Sequence, residues 1–596
     1  MKITILFWTF LLVTTTSFNS DRQQYNLLAT DNLVKLTNDI WVETPLEKSY
    51  KTKNIKKVFA QLKKAKGDFR YAQPQLRFVK KIPNNGKIAV AYPSAGVIFF
   101  EEKMYDVCMS VGKDSLSALA AVLSHELTHC YEKHTWEDHF KKDFQATQMD
   151  SLLHDNYLND EIQADYLGGF LAYAAGYQPF GIMETLYKKE YAAFGLTDMA
   201  LAGNYPPMKE RIEIAEQSEK KLKLLIDYFE MGNWLIATQN YEEALLYFNA
   251  VEREFQSREI YNNLGVLSFL SAMDKFDETT MPYAFPIELD VQSRLGVGKK
   301  ATSDKATQIE QLQRAIEYFE KARKMDSFYP IAYLNLGCAQ ALLGFLGEDY
   351  ADLDFDEAEI SARRALRLAK GDDEKKWQKT IADAHILLGL IEALRNAATI
   401  QPLQKEIDRL RIDNQLAGID DKISALKTAT KNAVEWMDKA LQIDQKSPLA
   451  ILNKNALEGT NTTQKVSIEN APLTETINGK KIVDLVIVKE DILDAFFLQE
   501  QVIFAVKNLP QSKVFIHSLN NRGINFYVAQ TDYTGSSEKG IKTGADFDTV
   551  TTAYPYPYTL VNLANGFYAV YDSPSLIFQL DDDNKVKQWA IYRRQK

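Results

Sequence analysis

The residues with the clearest chemical potential are six in a row, Ser124-His125-Glu126-Leu127-Thr128-His129. Around them Leu116, Leu119, Ala120, Leu123, Leu127 and Cys130 recur at helical spacing, and Asp114 or Ser115 can cap the start. Residues four apart on a helix project from one face, one turn apart. His125 and His129 therefore offer two neutral imidazoles that can bind Zn²⁺ together, and the adjacent Glu126 reaches a metal-bound water. Only 7 of the 596 residues are His, so the pattern arises by chance in roughly 0.5% of such chains.

A hydrolytic zinc keeps three protein ligands and leaves one position for water. A second helical stretch, Glu161-Ile162-Gln163-Ala164-Asp165, places Glu161 and Asp165 one turn apart on one face. Glu161 can ligate the metal, and Asp165 can hold a ligand imidazole by accepting its other N–H. His134 follows His129 by five residues and falls off the metal-facing side, whereas spacing alone leaves His139 and His154 open as rivals. The metzincin pattern is excluded, because it needs Gly and His where Glu132 and Thr135 stand.

These elements sit in a chain too long for one core. Lys2, an apolar run from Ile3 to Val13 and a Thr/Ser stretch read as a signal peptide over residues 1–20, so the chain is expected to be exported, periplasmic or beyond, and soluble once it is removed. The run is too short to span a bilayer, and no later segment is long and apolar enough to do so. Seventy basic and 80 acidic residues give a net charge of -10 without a block of either sign, which argues against a nucleic-acid partner. Cys108, Cys130 and Cys338 are too few for a disulfide scaffold. Cys108 and Cys130 could pair, but small buried apolar roles suit them better.

The expected organisation is multidomain and mainly α. Residues 21–220 form a mixed α+β domain with one strand-like stretch, Lys87 to Phe100. Residues 221–457 are helical, 458–475 a polar Thr/Asn-rich linker, and 476–596 a β-rich module read as a small helix-plus-meander unit. In the helical part, Leu264-Gly265, Leu336-Gly337 and Leu388-Gly389, with Met231-Gly232 a weaker copy, are each followed by a helix with Ala at fixed offsets: Ala244, Phe248 and Val251; Ala315, Phe319 and Ala322; Ala358, Ala362 and Ala365; Ala433, Met437 and Ala440. Helices that approach closely need Gly and Ala where their axes cross. The pattern resembles the tetratricopeptide repeat, with insertions near Lys275 to Thr307 and Gly344 to Phe355. Such arrays stack into a concave groove that binds peptides or partner proteins.

Four signatures, in order, are similar to those of the zinc endopeptidase family that includes the CAAX prenyl protease, the bacterial heat-shock membrane protease and the periplasmic β-barrel assembly-enhancing protease. They are Ala120 to His129 with His134 behind, Glu161 to Asp165, Ala174 to Pro179, and Tyr205-Pro206-Pro207 with Arg211. The resemblance covers about residues 70–220 and implies a gluzincin-type domain with one Zn²⁺ per chain, Glu161 as third ligand and Asp165 behind the ligands. The soluble, repeat-bearing branch of that family is the nearest in architecture and acts in envelope protein quality control. That branch usually has a His where this chain has Tyr205, and the His can plug the metal's open position. Tyr205 is expected instead as an oxyanion donor, and Arg211 as an electrostatic stabiliser or a structural ion-pair residue.

The expected chemistry is proteolysis, with Glu126 taking the water's proton and returning it to the leaving amine. Ala89, Ala91, Ile98 and Phe99 are expected on an exposed edge strand along which an unfolded or misassembled polypeptide lies. The competing expectation is a non-catalytic, chaperone-like assembly or scaffold factor of the envelope that works through its repeats. An intact His125, Glu126, His129 and Glu161 favours the enzyme, since a degenerate site would lose Glu126 first.

Overall fold

The computed structural model describes residues 50–70, 73–80, 89–92, 96–132, 156–178, 181–195, 208–276, 281–287, 305–347, 351–371, 375–413, most of 418–459 and most of 474–595. The expected signal peptide and most of the expected linker lie outside them. The chain is mainly helical, with a β-sheet near its C-terminus. The described residues fall into two compact units, divided between Ile226 and Asp227.

In the first unit, α1 (Tyr50–Lys66) buries Ile55, Val58, Phe59 and Leu62, an apolar stripe at helical spacing. Strands β1 (Gln75–Val79), β2 (Ala89–Tyr92) and β3 (Val97–Glu101) form a sheet in the order β1-β3-β2. The single expected strand is thus two strands paired antiparallel, with β3 also parallel to β1. Paired on both sides, β3 is buried along its whole length, which is why Val97 to Phe100 is uninterruptedly apolar. This corrects the expected substrate edge: Ile98 and Phe99, at 0% and 1% exposure, belong to the central strand. Only Ala89 and Ala91, on β2, lie at the edge of the described sheet. There follow α2 (Glu102–Met109), a 3₁₀ turn over Gly112–Asp114, α3 (Ser115–Tyr131), α4 (Asn156–Ala174), α5 (Met183–Phe194) and α6 (Met208–Ala237). Asp114 stands at the N-cap of α3, but its side chain makes no capping hydrogen bond.

The second unit continues through α7 (Tyr241–Glu254), α8 (Arg258–Met273), α9 (Lys305–Met325), α10 (Pro330–Leu346), α11 (Ala351–Gly371), α12 (Gln378–Arg395), α13 (Ala397–Ile412), α14 (Ile419–Ile443) and α15 (Pro448–Leu457). The small residues sit where the helices touch. Gly232 faces Phe248, and Gly265 faces Phe319. At Gly337 and Gly389 an added Cβ would lie 3.0 Å from the Ala358 carbonyl and 2.9 Å from that of Ala433, neighbours that cannot rotate away. The partner of α12 is α14, with α13 interposed in the chain.

Strands β4 (Val502–Leu509), β5 (Ser512–Leu519) and β6 (Arg522–Ala529) precede a short helix, α16 (Phe547–Ala553), and four more: β7 (Thr559–Leu563), β8 (Gly566–Tyr571), β9 (Leu576–Leu580) and β10 (Val586–Gln595). All seven strands pair antiparallel in the order β4-β5-β6-β10-β9-β8-β7, so two meanders meet on the last strand. One face holds the core of Tyr527, Tyr554, Tyr571, Phe578 and Trp589. The other packs on the helices: Trp234 against Phe526 and Tyr568, and Tyr228 and Tyr247 against Phe504.

On that second face Lys513 is buried between Asp227 at 2.8 Å and Glu230 at 3.0 Å. Burial disfavours its charge, but the two carboxylates hold its pKa above the usual lysine value. Lys513→Met should destabilise the chain by about 3 kcal/mol, measured by denaturant unfolding, because it strands a buried carboxylate. The low end of that mechanism's range is expected because Glu230, whose side chain is 18% exposed, can turn toward water.

A candidate metal centre between α3 and α4

The two helices that carry the candidate residues pass unusually close. An added Cβ on Gly168 would lie 2.8 Å from the His125 backbone nitrogen and 3.0 Å from its Cα. Glycine at this point lets α4 meet α3 backbone to backbone beside the histidine pair. Glu161 and Asp165 lie seven and three residues before Gly168, hence on the same face of α4, and so point at α3.

His125 Nε2 and His129 Nε2 are 3.1 Å apart. Glu161 Oε2 lies 3.3 Å from the first, and Glu161 Oε1 lies 3.4 Å from the second. Zinc–ligand bonds of about 2.0–2.1 Å in a tetrahedral site put donor atoms about 3.3 Å apart. The three donors match that separation, and among the described residues they form the one His/Cys/Asp/Glu group spaced to hold a metal ion.

A further set of contacts fixes the donors. Asp165 Oδ1 is 2.8 Å from His125 Nδ1, which leaves Nε2 for the metal side. The Arg211 guanidinium donates to Glu161 Oε2 at 2.9 Å and to Asp165 Oδ1 at 3.3 Å. It stacks 5.1 Å from the centre of the Tyr187 ring. The Tyr187 hydroxyl lies 3.2 Å from both Asp165 oxygens.

Charge in this site is out of balance. Burial pushes Glu161 upward, but hydrogen bonds and charge from His125, then His129 and Arg211, hold its carboxyl well below the usual range. Asp165 is likewise lowered, against its burial, chiefly by Arg211 and His125. Burial raises Glu126, with the His125 and His129 charges and a backbone hydrogen bond from Ala91 working the other way. Burial would also lower His125, yet Asp165 and Glu161 lift it to about 10. Without a metal, His125 is a cation held between two carboxylates. A divalent ion bound there takes the place of that proton. The buried carboxyls of Glu126, Glu161 and Glu190 and the Asp165 side chain, 5% exposed, gather here with a single arginine, so the local charge suits a dication.

The structure brings together His125, Glu126, His129, Glu161, Asp165 and Arg211. Ala91 reaches Glu126 through its backbone and Ala89 lines a recess together with His125 and Glu126, whereas Ile98 and Phe99 stay in the sheet interior. Arg211 is only 4% exposed and engaged by two carboxylates, the geometry of an ion-pair residue. Tyr205, His134, His139 and His154 lie outside the described residues. The three cysteines are free thiols, so Cys108 and Cys130 do not pair.

Sequence reading missed Tyr187. It stands in an amphipathic helix where an aromatic looks like core, and nothing in its spacing singles it out. Tyr187→Phe keeps the ring beneath Arg211 and removes only the hydroxyl on Asp165. Metal affinity, measured by competition with a chromophoric chelator, should fall by about 10–100-fold, the usual cost of losing a group behind a ligand. Unchanged affinity would make Tyr187 a packing residue.

No protein-family profile matches the chain, and no curated protein is similar to it. No described helix is long and apolar enough to cross a membrane.

Proposed function

We propose that the chain is a zinc-dependent endopeptidase with His125, His129 and Glu161 as metal ligands and Glu126 as general base. The observation that carries this reading is the convergence of three donors at 3.1–3.4 Å with Glu126 buried beside them. Bound zinc supplies a Lewis acid that polarises a scissile carbonyl and acidifies water. Asp165, held by Arg211 and Tyr187, orients His125 and keeps its Nε2 available. Glu126 accepts a proton from the attacking water and passes it to the leaving amine. Its burial favours the first half of that exchange, since a carboxyl raised from the ordinary range accepts a proton more readily than an exposed one does. The edge of β2, which contacts Glu126 through Ala91, suits a polypeptide added as an extended strand.

The paired helices of the second unit, packed through Gly232, Gly265, Gly337 and Gly389, support a tetratricopeptide-like array that selects protein partners. Together with the N-terminal leader pattern they point to an exported enzyme that removes unfolded or misassembled envelope proteins. The test is digestion of an unfolded casein substrate by the full chain, before and after chelation. Loss of cleavage on chelation and its return with stoichiometric Zn²⁺ is expected. Cleavage that survives complete metal removal overturns the proposal, and its absence in the zinc-loaded chain favours a non-catalytic assembly factor.

A further inference from the structure

Beside Glu126 the site opens into a recess, and Met104, Met183 and Glu190 in its wall have no part in the proposed reaction. It spans roughly 400 Å³ of space free of protein atoms, open solvent included, and its walls include Ala89, Met104, Val122, Met183 and Glu190 together with Asp165, Tyr187 and Arg211 of the metal centre. His125 and Glu126 line it as well, so a side chain that enters belongs to a residue next to the bond being cut.

Glu190, on α5, is the unexplained member. It is 8% exposed and, among the described residues, makes no hydrogen bond or ion pair. The buried cation of this region, Arg211, is committed to Glu161 and Asp165. A buried carboxyl without a partner is unfavourable when ionised, and such groups persist where a ligand supplies what the fold withholds. Ala89, Met104, Val122 and Met183 make up the apolar part of the wall. Met104 and Met183 are unbranched, adaptable side chains suited to the methylene stem of a long residue. Lysine and arginine combine such a stem with a terminal cation.

We propose that this recess is a specificity pocket for a lysine or arginine side chain adjacent to the scissile bond, with the Glu190 carboxylate as its ionic partner. Burial, opposed by the Arg211 and His125 charges, lifts the Glu190 pKa to about 7. An entering ammonium or guanidinium restores the carboxylate and replaces solvent around it. Guanidinium can pair with both oxygens and ammonium with one, which makes the Lys-to-Arg ratio informative.

This inference deepens the endopeptidase reading and rests on it, so the test has two arms. In the first, the zinc-loaded full chain digests an unfolded protein and the new termini are mapped by mass spectrometry. Lys and Arg together should be enriched roughly tenfold at one position flanking the cuts, and Glu190→Gln should erase that enrichment. Cuts without such a bias overturn the pocket assignment and leave the protease reading intact. In the second arm, alanine-rich hexapeptides with a single central Lys, Arg, norleucine or Glu are titrated against the full chain carrying Glu126→Gln. The Lys and Arg peptides should bind roughly tenfold more tightly than norleucine, with the advantage lost in the Glu126→Gln/Glu190→Gln double variant. Equal affinities overturn the inference even where cleavage is absent, whereas absence of cleavage alone overturns the protease reading.

Discussion

Glu126→Gln should lower turnover by about 10²–10⁴-fold, the usual contribution of a positioned general base. The exchange is nearly isosteric, and the new amide oxygen can still accept the Ala91 backbone hydrogen bond. Stability should not suffer. Burial already disfavours the charged Glu126 carboxylate, so a neutral amide in its place removes a cost rather than adding one. His125, His129 and Glu161 are untouched, so zinc content should equal that of the wild type. Turnover, thermal unfolding and elemental analysis on one preparation separate these effects. A variant that cleaves within a few-fold of wild type would remove Glu126 from the chemistry. One that loses metal as well would make it a ligand.

Arg211 is expected to matter as much, through stability rather than turnover. It is, beside His125, a buried cation between Glu161 and Asp165, which lie one turn apart on α4. Arg211→Met leaves those carboxylates in a desolvated site with only His125 to offset them and should cost about 3–5 kcal/mol in denaturant unfolding. Zinc should recover part of this by engaging Glu161, so the loss should be greater with chelator present than with metal. Arg211→Lys should recover some stability but not all, since an ammonium lacks the planar fork of donors with which the guanidinium meets both carboxylates. A loss below about 0.5 kcal/mol for Arg211→Met would show that the pair energies in this site are set elsewhere.

The residues that build the candidate site were legible because their spacing maps directly onto helical geometry. His125 and His129 share one face of α3, and Glu161 and Asp165 one face of α4. Which helix meets which was not legible from periodicity, yet Gly168 shows how closely the two pass. The Gly and Ala positions of the helical second unit were legible for the same reason, as small residues where helices cross. Strand organisation was read poorly. Both β2 and β3 are apolar, so a two-residue period could not part them, although Pro93 and Gly96, the latter at φ +62°, were available as break signals. The placement of β10 between β6 and β9 depends on pairing across most of the sheet, which no local pattern encodes. Tyr187 and Glu190 were invisible because burial and partners, not residue type, give them their roles.

The central claim is that His125, His129 and Glu161 hold one zinc ion. Elemental analysis of the full chain after dialysis against trace metal-free buffer tests it most directly, with wild type beside Glu161→Ala. The wild type should retain one zinc per chain. Glu161→Ala should lose most of it, because two imidazoles from adjacent turns of one helix make an incomplete site. Equal zinc in both proteins, or none in the wild type even after loading, would contradict the assignment.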